Sequence, residues 1–91
     1  MPQARLTVTV RGSVQGVGFR WWTRARALEL GLTGSATNRP DGRVEVVAQG
    51  EREACAGLLR LLNEPGTPGR VDQVAHWWSE PRPGSEGFVE R

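Results

Sequence analysis

Residues 12–20 read Gly-Ser-Val-Gln-Gly-Val-Gly-Phe-Arg. They lie between an apolar run, Leu6–Val10, and a helix-like stretch that begins at Trp21. Glycine has no Cβ, so the backbone of such a loop can turn consecutive N–H groups inward and form a nest for an anion. The start of the following helix adds unpaired N–H donors and the positive end of its dipole. The stretch therefore predicts a strand–loop–helix unit that can hold a compact dianion.

Arg20 stands at the exit of this loop. Its guanidinium is permanently charged, and its planar fork of donors matches two phosphate oxygens at once. An arginine in the first turn of a helix opposes the helix dipole, which costs up to about 1 kcal/mol unless an anion lies between them. We therefore expect Arg20 to face a ligand. From the glycine spacing alone, a tight turn without a ligand is an equally good interpretation.

Two nucleotide-binding motifs are excluded. The chain contains no lysine and no G-x-x-x-x-G-K-[ST] pattern, so it has no P-loop for a nucleotide and magnesium. The glycines at 12, 16 and 18 do not fit G-x-G-x-x-G, and no acidic residue follows at the distance that a ribose requires.

The segments on either side of the loop predict a strand and a helix. Apolar and polar residues alternate over residues 5–11, which is typical of a half-buried strand. Strong helix formers run from about Trp21 to Leu30 and stop at Gly31, a residue type that often follows a helix end. Periodicity alone does not select the buried side of this helix. Its apolar residues fall on two arcs: Trp21, Ala25 and Leu28, or Trp22, Ala27 and Leu30.

The rest of the chain predicts a hairpin, a second helix and two further strands. Residues 32–39 and 43–49 flank an Asp41-Gly42 pair that is typical of a hairpin turn. Residues 51–63 carry apolar side chains at helical spacing. After a Pro- and Gly-rich loop, residues 71–79 indicate a strand and residues 87–90 a short edge strand.

This order, βαββαβ with a terminal strand, predicts the α+β class. We expect a ferredoxin-like sandwich in which both helices cover one face of a four-stranded antiparallel sheet, with the short C-terminal strand at an edge. Ninety-one residues suffice for a two-layer core, so we predict a single domain over residues 1–91. Fold alone does not establish function.

The composition excludes several other classes of protein. Hydrophobic residues make up 37% of the chain and charged residues 24%, as in an ordinary globular protein. The arginines are interrupted by acidic residues and form no basic stripe, so we expect no nucleic-acid partner. The sequence starts without the apolar core of a signal peptide and contains no membrane-spanning run. We therefore expect a cytoplasmic protein that does not bind a membrane.

The loop also carries a family resemblance. Residues 14–20, read together with Asn38 and the Asp41-Gly42 turn, resemble the signature of the acylphosphatases, small enzymes that hydrolyse carboxyl–phosphate anhydrides. The similarity extends over nearly the whole chain, through residues 29–34 and 41–45 to Gly87-Phe88. It implies the ferredoxin-like fold, and it favours the helix arc that contains Trp22, with Phe19 and Trp22 in the core.

The resemblance also implies a role for each residue of a site. The loop amides and Arg20 would bind the phosphate of an acyl phosphate, and Asn38 would orient the attacking water. The expected catalytic residues are thus Arg20 and Asn38, and the expected phosphate-binding residues are Gln15, Gly16, Val17, Gly18, Phe19 and Arg20. Inorganic phosphate or sulfate should compete for the same place. The family typically has Gly-Trp-Val before the strand end, whereas this chain has Ser35 after Gly34, which puts the packing near the site in question.

Few groups for acid–base or metal chemistry accompany this loop. The leaving group of an acyl phosphate is a carboxylate, already a weak base, so no general acid is needed and positioning and charge stabilisation remain. Asparagine cannot accept a proton, so we expect a phosphate oxygen of the substrate to take the proton of the water. The single His76 and single Cys55 are too few ligands for a zinc site. We expect no metal, no cofactor and a monomer.

Two non-enzymatic alternatives stay open. An RNA-binding RRM on the same sandwich would need exposed aromatic residues on its central strands, and the strand 6–10 and the hairpin have none. A degenerate domain that binds anions without turnover has only Ser35 in its favour. Among other residues, we expect Cys55 to be buried, Trp77 and Trp78 to face opposite sides of their strand, and Thr23 to support the phosphate or Asn38.

Overall fold

The computed structural model describes residues 2–91, and its elements follow the predicted order. Every boundary lies within two residues of the prediction. The strands and helices are β1 (Gln3–Ser13), α1 (Phe19–Glu29), β2 (Thr33–Asn38), β3 (Val44–Glu51), α2 (Arg52–Asn63), β4 (Arg70–Ser79) and β5 (Phe88–Glu90).

The strands form one sheet in the order β4-β1-β3-β2-β5. The pairs β1/β3, β1/β4 and β2/β3 are antiparallel, and β5 pairs with β2 in the parallel direction. The α+β, ferredoxin-like prediction is confirmed. The four antiparallel strands and the short C-terminal strand at an edge are those predicted, and β5 makes the sheet five-stranded because the chain crosses from β4 at one edge to the other edge and pairs β5 with β2. This short strand brings the end of the chain to the end of β2.

One face of the sheet and both helices share a single core. Alternate strand residues such as Leu6, Val8 and Val46 are fully buried on this helix side of the sheet. Cys55 in α2 is buried among them, as predicted, and burial raises the pKa of its thiol. Within residues 2–91, neither helix has the length and hydropathy that a membrane-spanning helix requires.

Periodicity left two possible buried sides for α1, and the structure shows which of them is buried. Phe19 and Ala27 are at most 1% exposed, and Trp22 packs against the core, whereas Trp21 is 61% exposed. The arc that contains Trp22 is therefore confirmed. The helix begins at Phe19, two residues before the predicted Trp21, because the N–H of Trp22 already bonds the carbonyl of Gly18 at 2.9 Å.

The adjacent tryptophans of β4 face opposite ways, as predicted. Trp78 packs against the core, with the guanidinium of Arg52 4.0 Å above its ring. Trp77 is 51% exposed on the other side of the strand. That side, the open face of the sheet, is the one that the helices do not cover.

Candidate active site

The glycine-rich loop follows β1 and leads directly into α1. Gly16 and Gly18 have φ angles of 75° and 84°, in the left-handed region that favours glycine. A Cβ built at either position would meet no atom within 4 Å. Glycine is therefore needed here for the backbone conformation and not for close packing, and the space beside the loop is open to a ligand.

Gln15 ties the loop to the β2–β3 turn. Its side-chain Nε2 donates to the backbone oxygens of Arg39 and Arg43, at 2.8 and 3.0 Å. From the sequence, only the backbone amide of Gln15 was predicted to take part in the site, because nothing local indicates where a side-chain amide will bond. This clamp fixes the loop against the residue that directly follows Asn38.

Arg20 and Asn38 meet at a third segment, the end of the chain after β5. Nη1 of Arg20 donates to the backbone oxygen of Arg91 at 2.7 Å, and the N–H of Asn38 donates to the same oxygen at 3.0 Å. The N–H of Arg91 in turn bonds the carbonyl of Ala36 at 2.8 Å. One oxygen thus holds both predicted catalytic residues in place.

The β5 strand therefore belongs to the site, a role that was not predicted from the sequence. The similarity reaches Gly87-Phe88, and this was the only signal that the segment matters. The structure adds a second link to α1, since Nε of Arg24 donates to the carbonyl of Phe88 at 2.9 Å.

Asn38 is the last residue of β2, and its side chain lies on the helix side of the sheet, like that of Ala36. Its Oδ1 is buried and accepts no hydrogen bond from residues 2–91, and the same holds for the hydroxyl of Thr23. A buried amide oxygen without a partner is unusual, because leaving it unpaired costs free energy. Asn38 can therefore still accept a hydrogen bond from a water or a ligand.

The arginines around the site differ in whether they pair with a carboxylate side chain. In the neighbouring hairpin, Arg39 pairs with Glu45 and Arg43 pairs with Asp41. The backbone N–H of Arg43 donates to Asp41 and holds the pKa of that carboxyl below its usual value. Arg20, by contrast, pairs with no acidic side chain among residues 2–91, and only one of its five donors is used there.

Two other predicted features lie apart from this arrangement. Ser35 alternates with Ala36, so its side chain lies on the open face, away from that of Asn38. His76 lies opposite Val8 on β4, with its ring edge-on to Trp78. Among residues 2–91, no three His, Cys, Asp or Glu side chains are grouped as metal ligands.

Comparison with known sequences identifies close relatives. A family model described as acylphosphatase matches residues 6–89. An acylphosphatase of Saccharopolyspora erythraea is 71% identical over 98% of this chain and 94% of its own length. One from Thermobifida fusca is 66% identical over 100% of both chains.

Solved structures with the same fold include two bacterial acylphosphatases. The Bacillus subtilis protein has a TM-score of 0.89 and 31% identity, over 97% of this chain and 98% of that one. The Coxiella burnetii protein has a TM-score of 0.80 and 38% identity, over 98% of this chain and 93% of that one.

Proposed function

Since this chain belongs to the acylphosphatase family and hydrolyses the carboxyl–phosphate bond of acyl phosphates, we propose that residues 15–20 hold the phosphate and that Asn38 aims the attacking water. The observation that carries this assignment is the oxygen of Arg91. It binds Arg20 and Asn38 together at the exit of an open loop with two left-handed glycines. Residues that are far apart in the sequence thus meet at one backbone oxygen.

The phosphate is bound by three kinds of donor. The loop amides from Gln15 to Arg20 and the start of α1 supply N–H groups, and the helix dipole favours a negative charge there. Arg20 adds a charged fork whose orientation is set by the oxygen of Arg91. Donors that are fixed before the substrate arrives need not reorganise as charge develops, which is the main source of electrostatic catalysis.

The hydrolysis then needs only an oriented water. Oδ1 of Asn38 accepts a hydrogen bond from the water, whose oxygen faces phosphorus in line with the leaving group. The new P–O bond forms as the bond between phosphorus and the acyl oxygen breaks, and the electron pair leaves with the carboxylate. A phosphate oxygen takes the proton, so R-CO-OPO₃²⁻ and H₂O give R-COO⁻ and H₂PO₄⁻. No side chain acts as general acid or base.

Two substitutions separate the roles of Arg20 and Asn38. In Arg20→Gln, both turnover of an acyl phosphate and competitive inhibition by inorganic phosphate should collapse, because the charged fork is lost. In Asn38→Ala, phosphate should inhibit nearly as before while kcat falls by ~10²-fold or more, because the water is no longer held in line.

The matched control is Asn63→Ala, an exposed asparagine at the end of α2, which should leave both parameters unchanged. Urea unfolding verifies that each variant is folded. A folded Asn38→Ala protein with unchanged kcat would remove the water-positioning role.

We also propose that the enzyme acts as a single-domain, metal-free monomer in the cytoplasm. Its one cysteine, Cys55, is a free and buried thiol, which suits a reducing compartment. Turnover in excess chelator tests the absence of a metal, and loss of activity there would contradict it. Analytical ultracentrifugation tests the monomer, and a concentration-dependent dimer would contradict that part.

A further inference from the structure

A cavity of about 300 Å³ lies on the open face of the sheet. Ser35 and Val47 form its floor, since their neighbours Ala36 and Val46 point to the helix side. The segment that connects β4 to β5 crosses the open face of the sheet and forms the wall of the cavity. Residues 82–86 of this segment line the cavity. We call this space the crossing pocket.

Hydrogen bonds hold the wall of the crossing pocket in place. The side chain of Gln49 clamps the backbone of Arg82 at both ends: Nε2 donates to its oxygen at 2.7 Å, and Oε1 accepts from its N–H at 2.9 Å. The hydroxyls of Ser85 and Thr33 bond each other at 2.7 Å. The pocket is therefore preorganised, although its wall is a loop without regular structure.

The charge of the crossing pocket is strongly one-sided. Three arginines line it, Arg5, Arg82 and Arg91, against a single acidic side chain, Glu86. Counting side chains only, three positive charges and one negative charge leave a net charge of +2.

These arginines lack the acidic partners that others in the chain have. Arg26, Arg39, Arg43 and Arg70 each pair with a neighbouring carboxylate. Among residues 2–91, no such pair involves the arginines of the pocket, and the Arg5 guanidinium makes its only side-chain hydrogen bond to the neutral Oε1 of Gln49, at 3.4 Å. Like charges around one cavity repel each other, and a bound anion would reverse the sign of that interaction.

We propose that the crossing pocket is a second anion site, which binds a small organic molecule with two or more carboxylate or phosphate groups. Guanidinium forks match both groups, and negative charges offset the excess of positive side chains that line the pocket. Its volume is at the lower end of the range for small-molecule sites.

The site is separate from the phosphate loop, because Ser35 and Asn38 have their side chains on opposite faces of the sheet. Arg91 is common to both sites. Its backbone oxygen accepts the hydrogen bond from Arg20, and the residue also lines the crossing pocket. The proposal does not depend on the function proposed for the loop.

Citrate is a suitable probe, used with the full chain in the presence of saturating inorganic phosphate, which occupies the loop. Titration of ¹⁵N-labelled protein should give saturable NMR shifts at the arginine Nε–H groups of the pocket and at the amides of residues 82–86. In Arg82→Gln, citrate affinity should fall by about tenfold, because a charged hydrogen bond is lost while the backbone clamp stays.

The matched control is Arg60→Gln, which removes the same charge from an exposed position in the last turn of α2 and should leave citrate affinity within about twofold. A second variant, Ser35→Trp, fills the floor and should abolish the shifts in a protein that is still folded. Equal weakening in both arginine variants would show only general charge attraction. That result, or shifts confined to residues 15–20, would overturn the proposal.

Discussion

At the scale of single residues, the geometry of the candidate site involves a side chain that takes no part in the proposed reaction. Gln15 bonds two carbonyls of the β2–β3 turn and so joins the glycine-rich loop to the end of β2. A loop with two left-handed glycines has little rigidity of its own, since glycine loses the most conformational freedom on folding. The clamp therefore positions the loop amides relative to Asn38.

Gln15→Ala removes both side-chain hydrogen bonds. The carbonyls of Arg39 and Arg43 then keep only their backbone donors within the turn, the N–H groups of Gly42 and Arg39. We expect a loss of about 1–2 kcal/mol in the free energy of unfolding, together with weaker binding of inorganic phosphate. Urea denaturation and phosphate inhibition measure the two effects. The control is Gln73→Ala, an exposed glutamine on β4 whose loss should change neither. Unchanged phosphate affinity in Gln15→Ala would show that the loop is fixed without the clamp.

Gly18 is needed for its backbone conformation, because its φ is 84° and a Cβ there would meet nothing within 4 Å. Gly18→Ala should therefore cost roughly 1–2 kcal/mol of stability or turn the amide away, and phosphate affinity should fall by about tenfold or more.

Gly57→Ala is the matched control. Gly57 lies within α2, and its nearest Cβ contact would be an ordinary 3.8 Å. Alanine should stabilise that helix by about 0.5–1 kcal/mol and leave phosphate binding alone. If Gly18→Ala binds phosphate as tightly as the unchanged protein, the left-handed conformation is not what aims the amides.

At the scale of secondary-structure elements, β5 matters more than its three residues suggest. It buries Phe88 to 3% exposure in the core, and its carbonyl accepts a hydrogen bond from Arg24. It also carries the chain to Arg91, whose oxygen holds Arg20 and Asn38. An edge strand thus connects the hydrophobic core to the predicted catalytic residues.

Phe88→Ala tests this connection. Removing a buried phenylalanine should cost about 3–5 kcal/mol of stability, and phosphate affinity should fall as well because Arg20 loses its anchor. Val89→Ala is the control on the same strand, since Val89 is 41% exposed on the open face. It should cost much less and leave phosphate binding unchanged. A folded Phe88→Ala protein with full phosphate affinity would separate β5 from the site.

At the scale of the whole molecule, the site exists only in the folded chain. The loop, Asn38 and Arg91 come from three segments that are joined by the sheet order β4-β1-β3-β2-β5. A ligand that binds this assembly binds the native state and not the unfolded one, so it must stabilise the fold.

Inorganic phosphate should therefore raise the melting temperature. At 100 times its Kd the expected stabilisation is about 2.7 kcal/mol. In a domain of this size, each kcal/mol raises Tm by roughly 4–8 °C. Differential scanning calorimetry of Arg20→Gln, where the rise should disappear, provides the control, as does sodium chloride at equal ionic strength. A rise that chloride reproduces would show charge screening in place of binding.

The secondary structure and the fold class were predicted from local sequence patterns. Alternation predicted the strands, the Asp41-Gly42 pair predicted the hairpin, and the order of elements predicted the ferredoxin-like sandwich. Glycine spacing and Arg20 predicted a loop whose amides bind an anion, while the identity of that anion as an acyl phosphate and the role of Asn38 came from the family resemblance. These features depend on φ preferences and on side-chain periodicity. Both act over a few consecutive residues, so the local sequence is sufficient to predict them.

Other features were decided only when distant segments met. Helical periodicity allowed two buried arcs in α1, and packing against the sheet selected the one with Trp22. No pattern indicated that β5 would pair parallel to β2, that Arg91 would hold Arg20, or that Gln15 would clamp the hairpin. A backbone oxygen or a side-chain amide bonds whichever partner the fold brings to it. That partner is set by tertiary packing across residues as far apart as 20 and 91, and not by the sequence around either one.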